Sequence, residues 1–353
     1  MNAIINDQKT IETIARVKQA IKDISEGKMV VMVDDEDREN EGDLVYSASF
    51  SSAQKVNFMA SQAKGLICVS VSKNIAHRLN LVPMVKNNDS SYETAFTISV
   101  DAKHAATGIS ALERDMTIKI LADGTSTSLE LVRPGHIFPL IAKEGGSLVR
   151  TGHTEGSVDL CKLAGLSESS VICEIMKEDG TMARRPDLDI FCKKHDLNIV
   201  YISDIIEYRM MNESLVRLIS KENVEFMDEK AKRLEFTDHL DNRHIVYTFG
   251  KLHQESAIKF HRVTDDEKLF ADTIRYKSLQ NSITYLQKHG GALVFMKNDL
   301  KNMKKIREYG IGAQIINQLG IEKINLLSDN KEKEFLGITG FGLEINKYIK
   351  TLS

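Results

Sequence analysis

The sequence predicts a mixed α/β protein made of two successive α/β domains. Strand-like apolar runs alternate with amphipathic helical stretches along most of the chain. The length of 353 residues is about twice that of a typical domain. The character of the chain also changes near residues 207–215. All four cysteines (Cys68, Cys161, Cys173, Cys192) and all four prolines (Pro83, Pro134, Pro139, Pro186) come before that point, and long amphipathic segments broken by Asn and Lys follow it. We place the boundary at about Arg209, within a helix expected after Ser203, which gives domains 1–208 and 209–353.

In the first domain, KMVVMVDDE reads as a buried strand, Met29 to Val33, running into an acidic strand-end loop. Ser52 is the expected N-cap of a helix whose apolar stripe is Val56, Met59, Ala60 and Ala63. Further strands are expected at Leu66 to Val71, Thr94 to Val100, Ile137 to Ala142, Val171 to Ile175 and Ile199 to Ile202. Helices are expected at Ala111 to Leu121, Thr154 to Ala164, closed by Gly165, and Pro186 to His195. In the second domain, strands Ile245 to Phe249, Ala257 to Arg262, Ala292 to Met296 and Ile324 to Leu327 alternate with helices from Thr273 to His289 and through Ile311 to Leu319. Periodicity does not choose between a parallel and a mixed sheet.

Composition excludes several function classes. Lys+Arg 47 against Asp+Glu 50 leaves a net charge of −3, so no global positive field attracts nucleic acid or anionic lipid. Any anion must be held by a local site. No apolar run is long enough to span a bilayer, and MNAIINDQKTIETIARVKQ lacks the apolar core of a signal peptide. A cytoplasmic protein is expected, with no nucleic-acid or membrane partner. The cysteines form no C-x-x-C pair and read as thiols, neither a disulfide framework nor a zinc knuckle.

Two segments carry chemistry. The first is DDEDRENEGD, Asp34 to Asp43, where crowded carboxylates repel one another unless a cation is present. Hard oxygen ligands favour magnesium or manganese. A generic charge run is more often a solvated loop; here a buried strand delivers it, and Arg38 sits among the acids as an anion-binding fork would. The second is RTGHTEGSVDL, Arg150 to Leu160. Free N–H groups at a helix start, a Gly and an Arg together make a phosphate cradle, and His153 can ligate a metal or move a proton. Read alone, Thr154 is a plain cap and His153 a surface residue, but a phosphosugar with a divalent ion needs both kinds of segment. Weaker signals are His136 in RPGHIFPL, Glu174 interrupting the apolar VICEIM, and the polar loop TGISALERD. Cys68 in GLICVSV reads as a small apolar packing residue.

The strings DDEDRENEGD, GLICVSV, TGISALERD, RPGHIFPL, RTGHTEGSVDL and VICEIM, in this order and spanning most of residues 10 to 207, resemble the 3,4-dihydroxy-2-butanone 4-phosphate synthases of riboflavin biosynthesis. The resemblance implies a lyase converting D-ribulose 5-phosphate to L-3,4-dihydroxy-2-butanone 4-phosphate and formate. It implies Mg2+ or Mn2+, two ions per site, and a homodimer with its sites near the interface. Glu39 and His153 would be the metal ligands. Arg38, Glu39, Asp43, Arg150, Thr151, Gly152, His153, Thr154 and Glu174 would hold the substrate. His136 and Glu174 would be essential to catalysis, with Glu41 a further acid or base.

The strings REYGIGAQIINQLGIEKINLLSDN and GFGLEI resemble the last third of GTP cyclohydrolase II. That family holds zinc through three cysteines, and this chain has no cysteine after Cys192. Arg307 could match the family's nucleophilic arginine, but Lys305 stands where an acid is expected, and GGALVFMKNDLKN replaces the Gly-rich loop. The expectation is a retained fold without zinc or GTP hydrolysis. Two rivals stay open: a bifunctional enzyme with a metal on His253 and His261, and a non-catalytic partner protein.

Overall fold

A computed structural model describes residues 8–35, 38–239, 241–297, 305–329 and 343–352. Several residues of the motifs above lie outside these: Glu36 and Asp37 of the acidic run, residues 298–302 of GGALVFMKNDLKN, and residues 340–342 of GFGLEI. Contacts divide the chain into two compact units, one of Glu12–Tyr208, the other holding Met1–Ile11 with Arg209–Ser353.

The first unit contains α1 (Gln8–Ser25), β1 (Val30–Val33), β2 (Gly42–Ser47), α2 (Ala53–Phe58), β3 (Cys68–Val71), α3 (Lys73–Arg78), β4 (Val100–Ala102), α4 (Ala111–Ala122), β5 (Leu131–Ile141), α5 (His153–Leu163), β6 (Ser169–Glu174), α6 (Arg185–His195), β7 (Asn198–Tyr201) and α7 (Ile202–Asn212), with α1 beginning before the unit's start and α7 running past its end. Its seven strands form a mixed sheet in the order β4-β5-β3-β6-β2-β1-β7. The β3–β5 and β1–β7 pairs are parallel, the others antiparallel.

The continuous apolar run VVMV reflects burial on both faces. Side chains alternate along a strand, so Val30 and Met32 pack with Val17, Ala20, Ile24 and Leu160, while Val31 and Val33 pack on the opposite side with Val56, Met59, Ile118 and Leu188. Helices thus cover both faces. The four cysteines are buried free thiols within these cores.

Ser52 caps α2, accepting the Lys55 N–H. Val56, Met59 and Ala63 are buried as the stripe requires, but Ala60 is exposed. The helix continues as a π-turn over Met59–Ala63, and its wider turn carries residue 60 off the apolar face. The strand expected at Thr94 to Val100 is largely irregular. Phe96 and Thr97 make only isolated bridges, to Leu140 and Pro83, because Pro83 and Pro139 have no N–H with which to extend a ladder. Regular pairing begins at Val100.

The second unit contains β8 (Val216–Phe226), β9 (Glu229–Asp238), β10 (Arg243–Phe249), β11 (Glu255–Arg262), α8 (Asp266–Ala271), α9 (Thr273–His289), β12 (Gly291–Met296), α10 (Lys305–Gln318), β13 (Lys323–Leu327) and β14 (Glu344–Ile349). Its sheet runs β14-β13-β11-β12-β10-β9-β8, parallel from β14 to β12 and antiparallel from β12 to β8. Leu279, Ile283 and Leu286 of α9 pack on Phe249, Ala257 and Leu293. No helix among the described residues is long and apolar enough to cross a membrane.

Candidate active site

The acidic run is the connection of a hairpin. β1 and β2 pair antiparallel with Val33 opposite Gly42, so Asp34 leaves one strand as Glu41 enters the other. Asp34, buried, ties the loop together. It accepts the N–H of Glu41 at 2.9 Å and of Glu39 at 3.3 Å, while the Arg38 Nη1 donates to it at 2.7 Å. Two outside groups hold the loop backbone. Arg184, at the start of α6, donates to Glu39 O at 2.6 Å and to Asn40 O, and Tyr92 Oη donates to Arg38 O at 2.9 Å. Asn40 has φ 54°, the left-handed conformation that Asn tolerates better than most residues. The resulting curl turns the Glu39 carboxylate inward.

His153 reaches the same place from α5. It is the first helical residue after the N-cap Gly152, buried at 6 % exposure. Its Nε2 lies 3.2 Å from Met32 O and 3.8 Å from Asp43 Oδ1, and its Nδ1 lies 3.7 Å from Glu39 Oε2. Among the described residues, Asp34, Glu39 and His153 are the one group of three that offers ligand atoms all within 4.8 Å of one another.

The charges respond to this crowding. Burial and the neighbouring carboxylates of Glu174, Glu39 and Glu41 push Asp43 well above the ordinary carboxylate range, against the opposing pull of His153. Burial disfavours charge on His153, but Asp43, Glu39 and Asp34 outweigh it and hold the imidazole above its ordinary value. Burial likewise opposes ionisation of Glu39, yet His153 and Arg38 keep its carboxyl below the usual value. Glu41 is raised by burial and by the Glu39 charge.

This donor set suits a hard divalent cation: two carboxylates, one imidazole, and a buried Asp43 Oδ1 without a hydrogen-bond partner among the described residues. The second imidazole nitrogen faces a main-chain carbonyl, an arrangement that fixes the ring of a metal-ligating histidine.

The other sequence-derived candidates divide. Glu174 ends β6 directly opposite Asp43 in the ladder and accepts the Leu66 N–H at 2.8 Å. A Cβ on Gly65 would lie 2.4 Å from Glu174 O and 2.6 Å from its Oε2, so Gly65 is what lets this carboxylate lie back. Thr151, Gly152 and Thr154 flank His153 at the start of α5. Arg150 is engaged by Glu155 Oε2 at 2.6 Å, and by Tyr92 O and Thr94 Oγ1. A Cβ on Gly152 would meet the Arg150 guanidinium at 2.3 Å, so that glycine admits the fold-back. His136, on β5, makes no contact with this cluster; its Nδ1 lies 2.8 Å from Asp101 Oδ2 and its N–H donates to Asp101 Oδ1 at 2.8 Å.

Sequence reasoning did not single out Asp34, Asp101, Glu155 or Arg184. The first was visible as the residue where the strand delivers the acidic run, and Glu155 lies inside the RTGHTEG string. Nothing local marks Asp101 or Arg184.

Residues 18–208 match the profile of the 3,4-dihydroxy-2-butanone 4-phosphate synthase family, and the chain is 72 % identical over 98 % of both lengths to the protein of that name from Sulfurospirillum multivorans. The chain belongs to the 3,4-dihydroxy-2-butanone 4-phosphate synthase family. The synthase domain is followed by a GTP cyclohydrolase II-like one, whose profile matches residues 269–350. The same two-domain layout occurs in the crystal structure of RibBX, a two-domain 3,4-dihydroxy-2-butanone 4-phosphate synthase from A. baumannii, with TM-score 0.79 and 36 % identity over 95 % of this chain and 99 % of that one. A synthase structure in complex with two magnesium ions aligns with TM-score 0.54 and 35 % identity over 56 % of this chain and 97 % of the other.

Proposed function

We propose that this enzyme converts D-ribulose 5-phosphate to L-3,4-dihydroxy-2-butanone 4-phosphate and formate in riboflavin biosynthesis, with Mg2+ or Mn2+ held by Glu39 and His153. The observation that carries the reading is the meeting of Glu39, from the β1–β2 connection, with His153, from the start of α5, beside Asp34. The two magnesium ions of the related synthase structure support two ions per site.

When bound, the metal polarises the sugar oxygens and so acidifies the carbon beside the carbonyl. The chain's own residues supply the remainder. The N–H groups at the start of α5, with Arg38 and Arg150, hold the phosphosugar. Glu41, shifted upward by burial and by Glu39, keeps a proton more readily than an ordinary carboxyl and suits general-acid work. Glu174 and His136 are the further proton-transfer groups; with Nδ1 facing Asp101, the free nitrogen of His136 is Nε2. The chemistry balances without an oxidant or reductant: the water lost after enolisation returns in the hydration step that expels formate.

The proposed assembly is a homodimer with its sites near the interface. Exposed Ile109 and Val132 support this, since Val132 pairs with Asp101 in the β4–β5 register and Ile109 follows Gly108, whose Cα lies against Asp101 and His136. We assign synthase activity to residues 1–208, in the cytoplasm, and no GTP hydrolysis to residues 209–353, where the sequence holds no cysteine to bind zinc.

Formate release from ribulose 5-phosphate should stop with EDTA and return with magnesium, and Glu39→Gln or His153→Ala should abolish it in folded protein. Turnover by folded Glu39→Gln at the wild-type rate overturns the reading. GTP turnover, with zinc bound to the full chain, would overturn the assignment of the tail.

A further inference from the structure

We infer that Glu113, in the TGISALERD loop, is a positioning residue for His136: it clasps the backbone of residues 106–108 and so presses Gly108 onto the Asp101–His136 pair. This rests on the proton-transfer role proposed for His136. Glu113 gathers five donors on one carboxylate. Its Oε1 accepts the N–H of Ala106 at 2.6 Å and of Thr107 at 3.1 Å. Its Oε2 accepts the Gly108 N–H at 3.2 Å, the Thr107 hydroxyl at 3.1 Å and the Ser110 hydroxyl at 3.0 Å. Three consecutive N–H groups aimed at one anion form a concave nest, filled here by a side chain of the same loop. These bonds, that from Ala106 foremost, hold the carboxyl down at about 2, so the clasp stays charged across the neutral range.

The clasp is anchored in regular structure. Ser110 caps α4 by accepting the Glu113 N–H. Thr117, one turn on, donates to Glu113 O at 3.1 Å and accepts the N–H of Ala102 at 2.8 Å, the residue after Asp101 in β4. The loop and Asp101 are thus both tied to the first turns of α4, and Gly108 closes the gap between them. With φ 83° it turns a bare Cα toward the pair, where a Cβ would overlap Asp101 Oδ2 and lie 2.7 Å from His136 Nδ1. The backbone therefore covers the 2.8 Å contact between Asp101 Oδ2 and His136 Nδ1 and keeps water from competing for it, which fixes the ring with its proton on Nδ1 and Nε2 free. A glutamine at 113 cannot serve the same nest. In either orientation its NH2 faces at least one backbone N–H, donor against donor, and the loop loosens.

The test uses the full chain with Mg2+ and ribulose 5-phosphate. Glu113→Gln should lower kcat by roughly ten- to a hundredfold, less than the loss of a proton-transfer group outright, with KM and Mn2+ affinity unchanged. The 15N spectrum of the neutral His136 ring should change from one tautomer to a mixture, which a merely structural role would not produce. Glu113→Ala, which leaves the loop N–H groups to water without opposing them, should do the same and stands in if the glutamine variant does not fold. Wild-type kcat in a folded variant, or a lowered kcat with the tautomer unaltered, overturns the inference. The control is His136→Gln: turnover at the wild-type rate in that folded variant would refute the proton-transfer role of His136, an outcome distinct from failure of the clasp, which the tautomer still reports.

Discussion

Replacing Arg184 by Ala should weaken metal binding. Arg184 donates to the main-chain oxygens Glu39 O at 2.6 Å and Asn40 O and lies 3.9 Å from Glu41 Oε1, so it fixes the curl of the acidic loop without bonding a side-chain oxygen of Asp34 or Glu39. A charge-assisted hydrogen bond contributes roughly 1.5 kcal/mol. The Arg184 side chain is 43 % exposed, and solvent screening cuts this by about half, so the two bonds together contribute about 1.5 kcal/mol to the ordered loop. If Mn2+ binds only the ordered form, the dissociation constant should rise about tenfold. Calorimetric titration with Mn2+ measures it directly. Asn40→Gly should recover part of the loss in the double variant, because it relieves a left-handed residue at φ 54°, a conformation that costs about 1 kcal/mol for a residue with a side chain. An unchanged dissociation constant in folded Arg184→Ala would refute the reasoning, since the loop would then hold its shape without this anchor.

Other expectations follow from individual contacts. Asp101→Asn should leave KM unchanged and lower kcat by roughly 10²- to 10⁴-fold, with an altered pH profile, because an amide in place of the Oδ2 facing His136 Nδ1 no longer fixes which ring nitrogen carries the proton; 15N shifts of His136 report that tautomer. Gly65→Ala should destabilise the protein by about 1–3 kcal/mol in urea titrations and lower activity, because the new Cβ collides with Glu174. His261 gives a stability dependence of the second unit on pH. Burial, with Arg275 and Lys259 nearby, lowers its pKa from 6.5 to about 4, so the unfolded chain binds the proton more readily than the native one. The stability is fully present above pH 6.5 and lost as pH falls toward 4, by about 2 kcal/mol after allowing for screening. Urea midpoints between these pH values should show this slope in the wild type and a shallower one in His261→Phe.

Legibility in the sequence followed the source of each element's stability. β1, α9 and β12 bury whole faces, so their apolar patterns set their limits closely; α9 spans Thr273–His289 as expected. The hairpin of β8 and β9 left no such trace. Nearly every β8 side chain is exposed, and the strands are held by backbone pairing around a turn in which Met227 and Asp228 have φ 50° and 65°. Such turns usually announce themselves with Asn-Gly, and here ordinary residues adopt them. β2 was hidden because GDLVYS follows the acidic run directly. In the candidate site, carboxylates and His153 were legible as residue types suited to metal chemistry. The geometry was not, because Met32 O, Glu39 O and Asn40 O act through the main chain, and Arg184 and Asp101 reach their partners only once the strands are assembled.

The acceptor for His153 Nε2 is the carbonyl of Met32, an oxygen every amino acid carries. Evolution or a protein engineer can therefore swap the residue at that position for packing reasons without deleting the acceptor that orients the imidazole. A saturation library at position 32 should lose variants through poor core fit rather than through loss of this bond.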